Sequence, residues 1–273
     1  MDGMNHFKPF TKLPARGSEL HDQTSSPYEG TTIYPHLILR NHTRLTHSLA
    51  PKTNKMATQK TPSADPPTSK PAFIPLEANP ELMTSLLHTL GLSPALSVHD
   101  VFSLTDPEML SFIPRPALAL LLVFPVSAAY ESHRLAEDSL VPDYTGKGPD
   151  EPVIWFQQTI RNACGLMGLL HAAANGPARD FVTEGSDLDR IIKEAIPLDT
   201  EGRARLLEQE QSLARAHRDA AEKGDTVAPG AEDDVDLHYV CFVKGMDGGL
   251  WEMDGRRKGP IRRGDLGGDE DVL

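Results

Sequence analysis

The stretch Gln158-Thr159-Ile160-Arg161-Asn162-Ala163-Cys164-Gly165 decides how this chain is read. It sets one of only two cysteines directly before the apolar run Leu166 to Ala174. That run is apolar nearly all round, which predicts a central helix over Thr159–Ala174 with Cys164 towards its start. A thiolate is favoured at a helix N-terminus, where unpaired amide N–H groups and the positive dipole end face it. Gly165 lets a substrate backbone come close. A lone cysteine is more often an inert core residue, so the chemistry must be read from what else the chain brings to it.

Two further residues stand at the ends of well-marked elements. His238 opens the alternating stretch His238-Tyr239-Val240-Cys241-Phe242-Val243, and Val240 and Phe242 share its face. Leu250 to Met253 forms a second strand, and Gly245, Gly248 and Gly249 between the two predict a β-hairpin. Pairing Phe242 with Leu250 would set His238 opposite Asp254. A carboxylate beside an imidazole fixes its tautomer and stabilises the imidazolium, which in turn stabilises a thiolate. Gln158, six residues before the cysteine, can donate a side-chain amide N–H to a developing oxyanion. Gln157 competes for that role. Cys241, among apolar strand neighbours, reads as core. Cys164, His238, Asp254 and Gln158 together make a thiol hydrolase, with no metal or organic cofactor required.

The remaining elements give the class as α/β or α+β. Asn79-Pro80-Glu81 is a helix start, followed by Leu82, Leu86, Leu87 and Leu90 on one face and ended by Gly91. Asp106-Pro107-Glu108 starts a short helical turn. Ala117 to Val126 reads as a strand buried on both faces. Leu188 to Ala195 is a helix, Thr200 to about Ala221 a longer polar segment, and Glu222 to Asp234 a mobile loop rich in Gly, Pro and acid.

Residues 1–72 differ from the rest. They hold 9 of the 23 prolines and end in Thr61-Pro62-Ser63-Ala64-Asp65-Pro66-Pro67-Thr68-Ser69-Lys70-Pro71, so they are expected to be a disordered N-terminal extension. The net charge of −12 is unevenly spread: residues 1–70 carry about +4 and the rest about −16. An acidic domain disfavours nucleic acid and suits a basic protein ligand. No apolar stretch reaches the roughly 18 residues of a membrane helix, and the start of the chain lacks the apolar core of a signal peptide. With two cysteines and no sign of a disulfide framework, the expectation is a soluble, cytoplasmic monomer with no membrane partner.

Several stretches carry a family resemblance: Pro75-Leu76-Glu77-Ala78-Asn79-Pro80-Glu81, Val101-Phe102-Ser103-Leu104, Pro114-Arg115-Pro116, the Gln158–Gly165 block, Val235-Asp236-Leu237-His238-Tyr239, and Glu252-Met253-Asp254-Gly255-Arg256. Residues 73–266 resemble the ubiquitin C-terminal hydrolases, papain-like cysteine peptidases that release adducts from the C-terminus of ubiquitin. The resemblance implies a mainly antiparallel central sheet flanked by helices, with a knotted chain. It implies Cys164 as nucleophile, His238 as base, Asp254 as its orienter and Gln158 as oxyanion donor. Ubiquitin becomes the partner, related modifiers being left open, with Leu76, Glu77 and Asp100 as candidate contacts. A crossover loop is implied at about residues 215–235. The family continues beyond the Asp254-Gly255-Arg256 block through a helix and a last strand, whereas this chain stops at Leu273. The catalytic domain, 73–273, is therefore expected to be incomplete at its C-terminal end. A ubiquitin-binding module without turnover is the alternative that this departure raises.

Overall fold

The computed structural model describes residues 36–41, 71–231, 233 and 235–273. Six strands form one sheet: β1 (His36–Asn41), β2 (Val98–Asp100), β3 (Ala117–Pro125), β4 (Leu237–Lys244), β5 (Gly249–Met253) and β6 (Ile261–Asp265). Their order is β2-β1-β3-β4-β5-β6. The run from β3 to β6 is antiparallel, and β1 lies parallel to both of its neighbours. The helices are α1 (Pro80–Leu90), α2 (Pro107–Leu110), α3 (Ala128–Asp138), α4 (Cys164–Ala174), α5 (Asp187–Ala195), α6 (Thr200–Gln209) and α7 (Gln211–Ala221), with a 3₁₀ turn at Gly176–Phe181. The mixed architecture agrees with the expected class.

Local chemistry accounts for most of the boundaries. The Asn79 side chain accepts from the backbone N–H groups of Glu81 and Leu82, Pro80 sits just inside the cap, and Gly91 ends α1 at a φ of 113°. Met83, Leu86, Leu87 and Leu90 are the buried face of α1. In β3, Ala119, Leu121 and Val123 are fully buried, as expected for a strand in the middle of a sheet. Helix α4 is buried at every position from Gly165 to Ala174.

Four local expectations need correction. The central helix begins at Cys164, not Thr159. Arg161 is held in a bridge instead, its N–H donating to Pro71 O and its carbonyl accepting the Phe73 N–H, both at 3.0 Å, and Asn162 then turns at a φ of 58°. The polar segment Thr200–Ala221 is two helices, broken at Glu210, where ψ is 98°. The hairpin pairs Phe242 with Glu252 and Lys244 with Leu250, two residues out of step with the expected register. Gly248, at a φ of 75°, puts the turn apex at Asp247 and closes it through the Gly245 N–H to Gly249 O bond of 2.8 Å. A slip of two keeps every side chain on its face, so the His238–Asp254 meeting survives. Finally, β1 falls inside the 1–72 segment that composition reads as structureless. Its backbone bridges β2 and β3, pairing Leu39 with both Asp100 and Leu121. The rest of that segment lies outside the described residues.

Two charged clusters fix the elements around the site. Arg203, fully buried, pairs with Glu151 and also donates to Ala195 O at 2.9 Å and Trp155 O at 3.4 Å. Arg257, 4 % exposed, joins Glu252 of β5 to Asp138 of α3, each at 2.9 Å. A buried guanidinium so fully partnered is costly to break, since removing one member strands the other charge.

Candidate active site

Cys164 is the first residue of α4 and half-buried, and it lines a cleft of about 370 Å³ with Leu76, Glu77, Asn162, Thr226, Leu237 and Tyr239 among others. The bridged lead-in through Arg161 is what brings the sulfur to the helix terminus. Gly165 packs under Leu76, whose Cβ would lie 3.1 Å from any Cβ added there. A larger residue would push that wall of the cleft outward.

His238 sits near the start of β4, directly paired with Phe124 of β3, and is 2 % exposed. Its Nε2 lies 2.9 Å from Asp254 Oδ1, which leaves Nδ1 as the ring nitrogen for the Cys164 thiol. Burial works against the imidazolium, but hydrogen bonds to Asp254 and Cys164, with the charge of both, outweigh it and lift the His238 pKa to about 9. Asp254 is fully buried. Burial opposes its charge too, yet the bond and charge of His238, the Arg256 N–H at 2.9 Å and the Tyr130 hydroxyl at 3.1 Å hold its carboxyl below the usual range. The Trp155 indole N–H donates to the Asp254 carbonyl at 3.2 Å. The imidazole thus stands between a sulfur and a buried carboxylate, an arrangement in which the ring can take up or give a proton.

Gln158 is placed by two backbone features. Its N–H donates to Gly255 O at 2.9 Å, and Gly255 leaves room that a Cβ would fill, 2.9 Å from Gln158 Cβ. One amide hydrogen on Gln158 Nε2 goes to Ile160 O at 3.2 Å, leaving the second for another acceptor. Gln158 Oε1 is buried without a partner.

The loop after α7 crosses over this cleft and is tied down at both ends. Glu77 accepts from the Thr226 hydroxyl at 2.6 Å and the Thr226 N–H at 3.1 Å, and Asn79 donates to Asp225 at 3.3 Å. Asn162, at a φ of 58°, donates to Ala231 O at 2.9 Å and Asp233 O at 3.1 Å. Glu77 thus meets the loop. Leu76 is 5 % exposed, forms part of the cleft wall and accepts the Tyr239 hydroxyl at its carbonyl, 3.0 Å away. Asp100 ends β2, exposed and outside the cleft lining.

The structure links Cys164, His238 and Asp254 by hydrogen bonds and sets Gln158 against Gly255, the residue after Asp254; Leu76 and Glu77 line the cleft with Cys164, and Asp100 lies apart. Sequence reading missed Tyr130, Trp155, Asn162 and Gly255. Only Asn162 carried a signal, since asparagine tolerates the left-handed region better than most residues. Tyr130 and Trp155 reach Asp254 through tertiary packing that no local pattern announces. Among the described residues, no group of three or more His, Cys, Asp or Glu is placed to hold a metal ion, and no helix is long and apolar enough to cross a membrane.

Comparison with known proteins follows the same lines. The model of "Ubiquitin carboxyl-terminal hydrolase, family 1" matches residues 73–273. A ubiquitin carboxyl-terminal hydrolase of Aplysia californica is 36 % identical over 201 residues, covering 74 % of this chain and 90 % of that protein. Ubiquitin carboxyl-terminal hydrolase 3 of Arabidopsis thaliana is 36 % identical over 203 residues, covering 74 % and 83 %. Ubiquitin carboxyl-terminal hydrolase YUH1 of Saccharomyces cerevisiae is 34 % identical over 198 residues, covering 71 % and 79 %. The fold matches the catalytic domain of Trichinella spiralis UCH37, solved bound to ubiquitin vinyl methyl ester, with a TM-score of 0.52 at 22 % identity over 73 % of this chain and 81 % of that one. On the span of the family match and the identity of these relatives, the chain belongs to family 1 of the ubiquitin carboxyl-terminal hydrolases.

Proposed function

We propose that this protein is a thiol-dependent deubiquitinating hydrolase that frees small or unfolded adducts from the C-terminal glycine of ubiquitin, with residues 73–273 as the catalytic domain. The observation that carries the reading is the Cys164–His238–Asp254 chain, with the sulfur at the head of α4 and His238 Nε2 2.9 Å from Asp254. The relatives bear the names of hydrolases, which disfavours a binding module without turnover.

In this reading the Cys164 thiolate attacks the carbonyl carbon of the terminal glycine. The negative charge that forms on the carbonyl oxygen is met by the free amide hydrogen of Gln158 and by the backbone N–H of Cys164, donors worth several kcal/mol when aimed at such a charge (about 3–4 each). The His238 imidazolium gives its proton to the leaving amine as the C–N bond breaks, and a thioester remains. His238, now neutral, takes a proton from water, whose oxygen attacks the thioester and releases ubiquitin with the thiolate restored. Every group in the cycle belongs to this chain, so the proposal calls on no metal or cofactor.

The loop tied between Glu77 and Asn162 supports the size limit, because an adduct must pass beneath a strap held at both ends. Leu76 and Glu77 are proposed to meet ubiquitin near its tail, and Asp100 a basic group farther along it. The acidic charge balance favours such a ligand over nucleic acid. A cytoplasmic monomer fits two free cysteines.

The test is reaction with ubiquitin carrying a C-terminal electrophile, read by intact mass, with Cys164→Ala in parallel. The expected result is one adduct on the parent and none on the variant. A folded parent that binds ubiquitin and forms no adduct would overturn the enzymatic reading.

A further inference from the structure

Asp254 has no contact with solvent, so both oxygens of its carboxylate must find their donors within the protein. Oδ1 serves two donors, His238 Nε2 and the Arg256 N–H, both at 2.9 Å. Oδ2 takes the Tyr130 hydroxyl at 3.1 Å. A carboxylate held on one oxygen alone can turn about its Cβ–Cγ bond and offer the imidazole either oxygen or neither. Donors on both oxygens fix the plane.

Tyr130 is itself firmly placed. It lies in the first turn of α3, where its N–H donates to the Ser127 hydroxyl at 3.1 Å. Its ring meets Phe124 edge-on, with centroids 4.7 Å apart and planes at 71°, and Phe124 is the β3 residue paired with His238. The other end of α3 is bound to the segment carrying Asp254: Arg134 donates to Arg256 O at 3.2 Å and Arg257 to Asp138 at 2.9 Å. Helix α3 and the Asp254–Arg257 turn therefore form one unit, and the Tyr130 hydroxyl is where that unit touches the reacting chain.

We infer that Tyr130 is a positioning residue for catalysis: its hydroxyl locks Asp254 Oδ2 and thereby commits Oδ1 to His238. The inference rests on the proposed roles of Cys164, His238 and Asp254. It assigns Tyr130 no contact with substrate. Loss of the hydroxyl should act on the step in which His238 transfers its proton and leave ubiquitin binding alone.

Tyr130→Phe tests this, because it keeps the ring and its contact with Phe124 and deletes one oxygen. Active sites are first counted with the ubiquitin electrophile, so that kcat refers to labelled sites only. The expected outcome is a roughly tenfold fall in kcat per labelled site with KM within about twofold, equivalent to about 1.4 kcal/mol in the transition state. The low-field proton resonance of the His238–Asp254 hydrogen bond should shift in the same variant, a change that loss of packing elsewhere would not produce. An unchanged kcat per labelled site, an effect carried by KM, or an unmoved resonance would each overturn the inference. Failure of the parent itself to label would instead refute the assignment of Cys164, so the two failures are distinct.

Discussion

Alkaline pH should switch this enzyme off near pH 9, and Asp254→Asn should bring that limit down. The His238 pKa stands at about 9 against an ordinary 6.5. At about 1.4 kcal/mol per unit, the folded protein favours the imidazolium by roughly 3 kcal/mol. Burial opposes this rise; the Asp254 bond comes next among the causes, ahead of that of Cys164. Neutralising Asp254 should return more than half of the rise and set the alkaline limb at roughly pH 7.5. At pH 8.5 the parent would keep about three quarters of its imidazolium and the variant about a tenth, roughly an eightfold difference beyond any loss at neutral pH. The sign for stability follows from the raised value. The His238 contribution is complete below pH 6.5 and fades as pH climbs through about 9. That of Asp254, whose carboxyl is held low, is present above its ordinary 3.8 and is lost as pH falls through the depressed value. The assay is kcat/KM against pH on a ubiquitin amide with a fluorescent leaving group, beside melting curves from pH 6 to 10. A variant limb still at pH 9, or a parent limb below pH 7.5, would refute the account of what holds the proton on His238.

Three other perturbations reach different parts of the molecule. Thr226→Val removes the hydroxyl donated to Glu77, and steady-state kinetics should give a KM a few-fold lower at constant kcat, because the strap opens more easily; an unchanged KM would mean that this bond is no latch. Gly255→Ala puts a Cβ 3.0 Å from Gln158 N and 3.2 Å from Phe156 O, so Gln158 must move. Its kcat should fall by about 10–100-fold with ubiquitin affinity retained, as measured by calorimetry. Leu39→Pro deletes a backbone donor in a strand flanked on both sides, and differential scanning should find the melting point lower by several degrees; an unaltered melt would remove β1 from the cooperative unit.

How much of this was legible in the sequence depends on the range of the interaction concerned. Helix α1 could be read almost to the residue, since Asn79, Pro80 and Gly91 act on their own neighbours. Strand β3 was legible for the same reason, as a continuous apolar run needs no partner to be recognised. Cys164, His238 and Asp254 could be picked out because each stands at or beside the end of an element, Gln158 by its place six residues before the cysteine, and the family resemblance agreed on their roles. Register was not legible. The hairpin turns about Asp247 because Gly248 adopts a positive φ, and composition offered three glycines to choose from. The start of α4 was misjudged because the bonds linking Arg161 to Pro71 and Phe73 join residues about 90 positions apart. Strand β1 was missed because six residues in a proline-rich segment carry a weak signal until β2 and β3 flank them.

The pairing of β3 with β4 has a consequence for how the protein is made. Strand β3 ends at Pro125 and its antiparallel partner begins at Leu237, with helices α3 to α7 encoded between them. At about 5–20 residues per second, a ribosome needs roughly 6–22 s to cross that interval. For that time the edge of β3 that will carry β4, with Leu121 and Val123 on it, has no partner in the nascent chain. Asp254 emerges later still, so the Cys164–His238–Asp254 chain cannot assemble on the growing polypeptide until β4 and β5 have both been made. The enzyme is born inactive and with an adhesive edge, and such non-local topologies fold slowly. Its yield in a cell should therefore follow the supply of chaperones that shield unpaired strands more closely than it follows the stability of the finished fold.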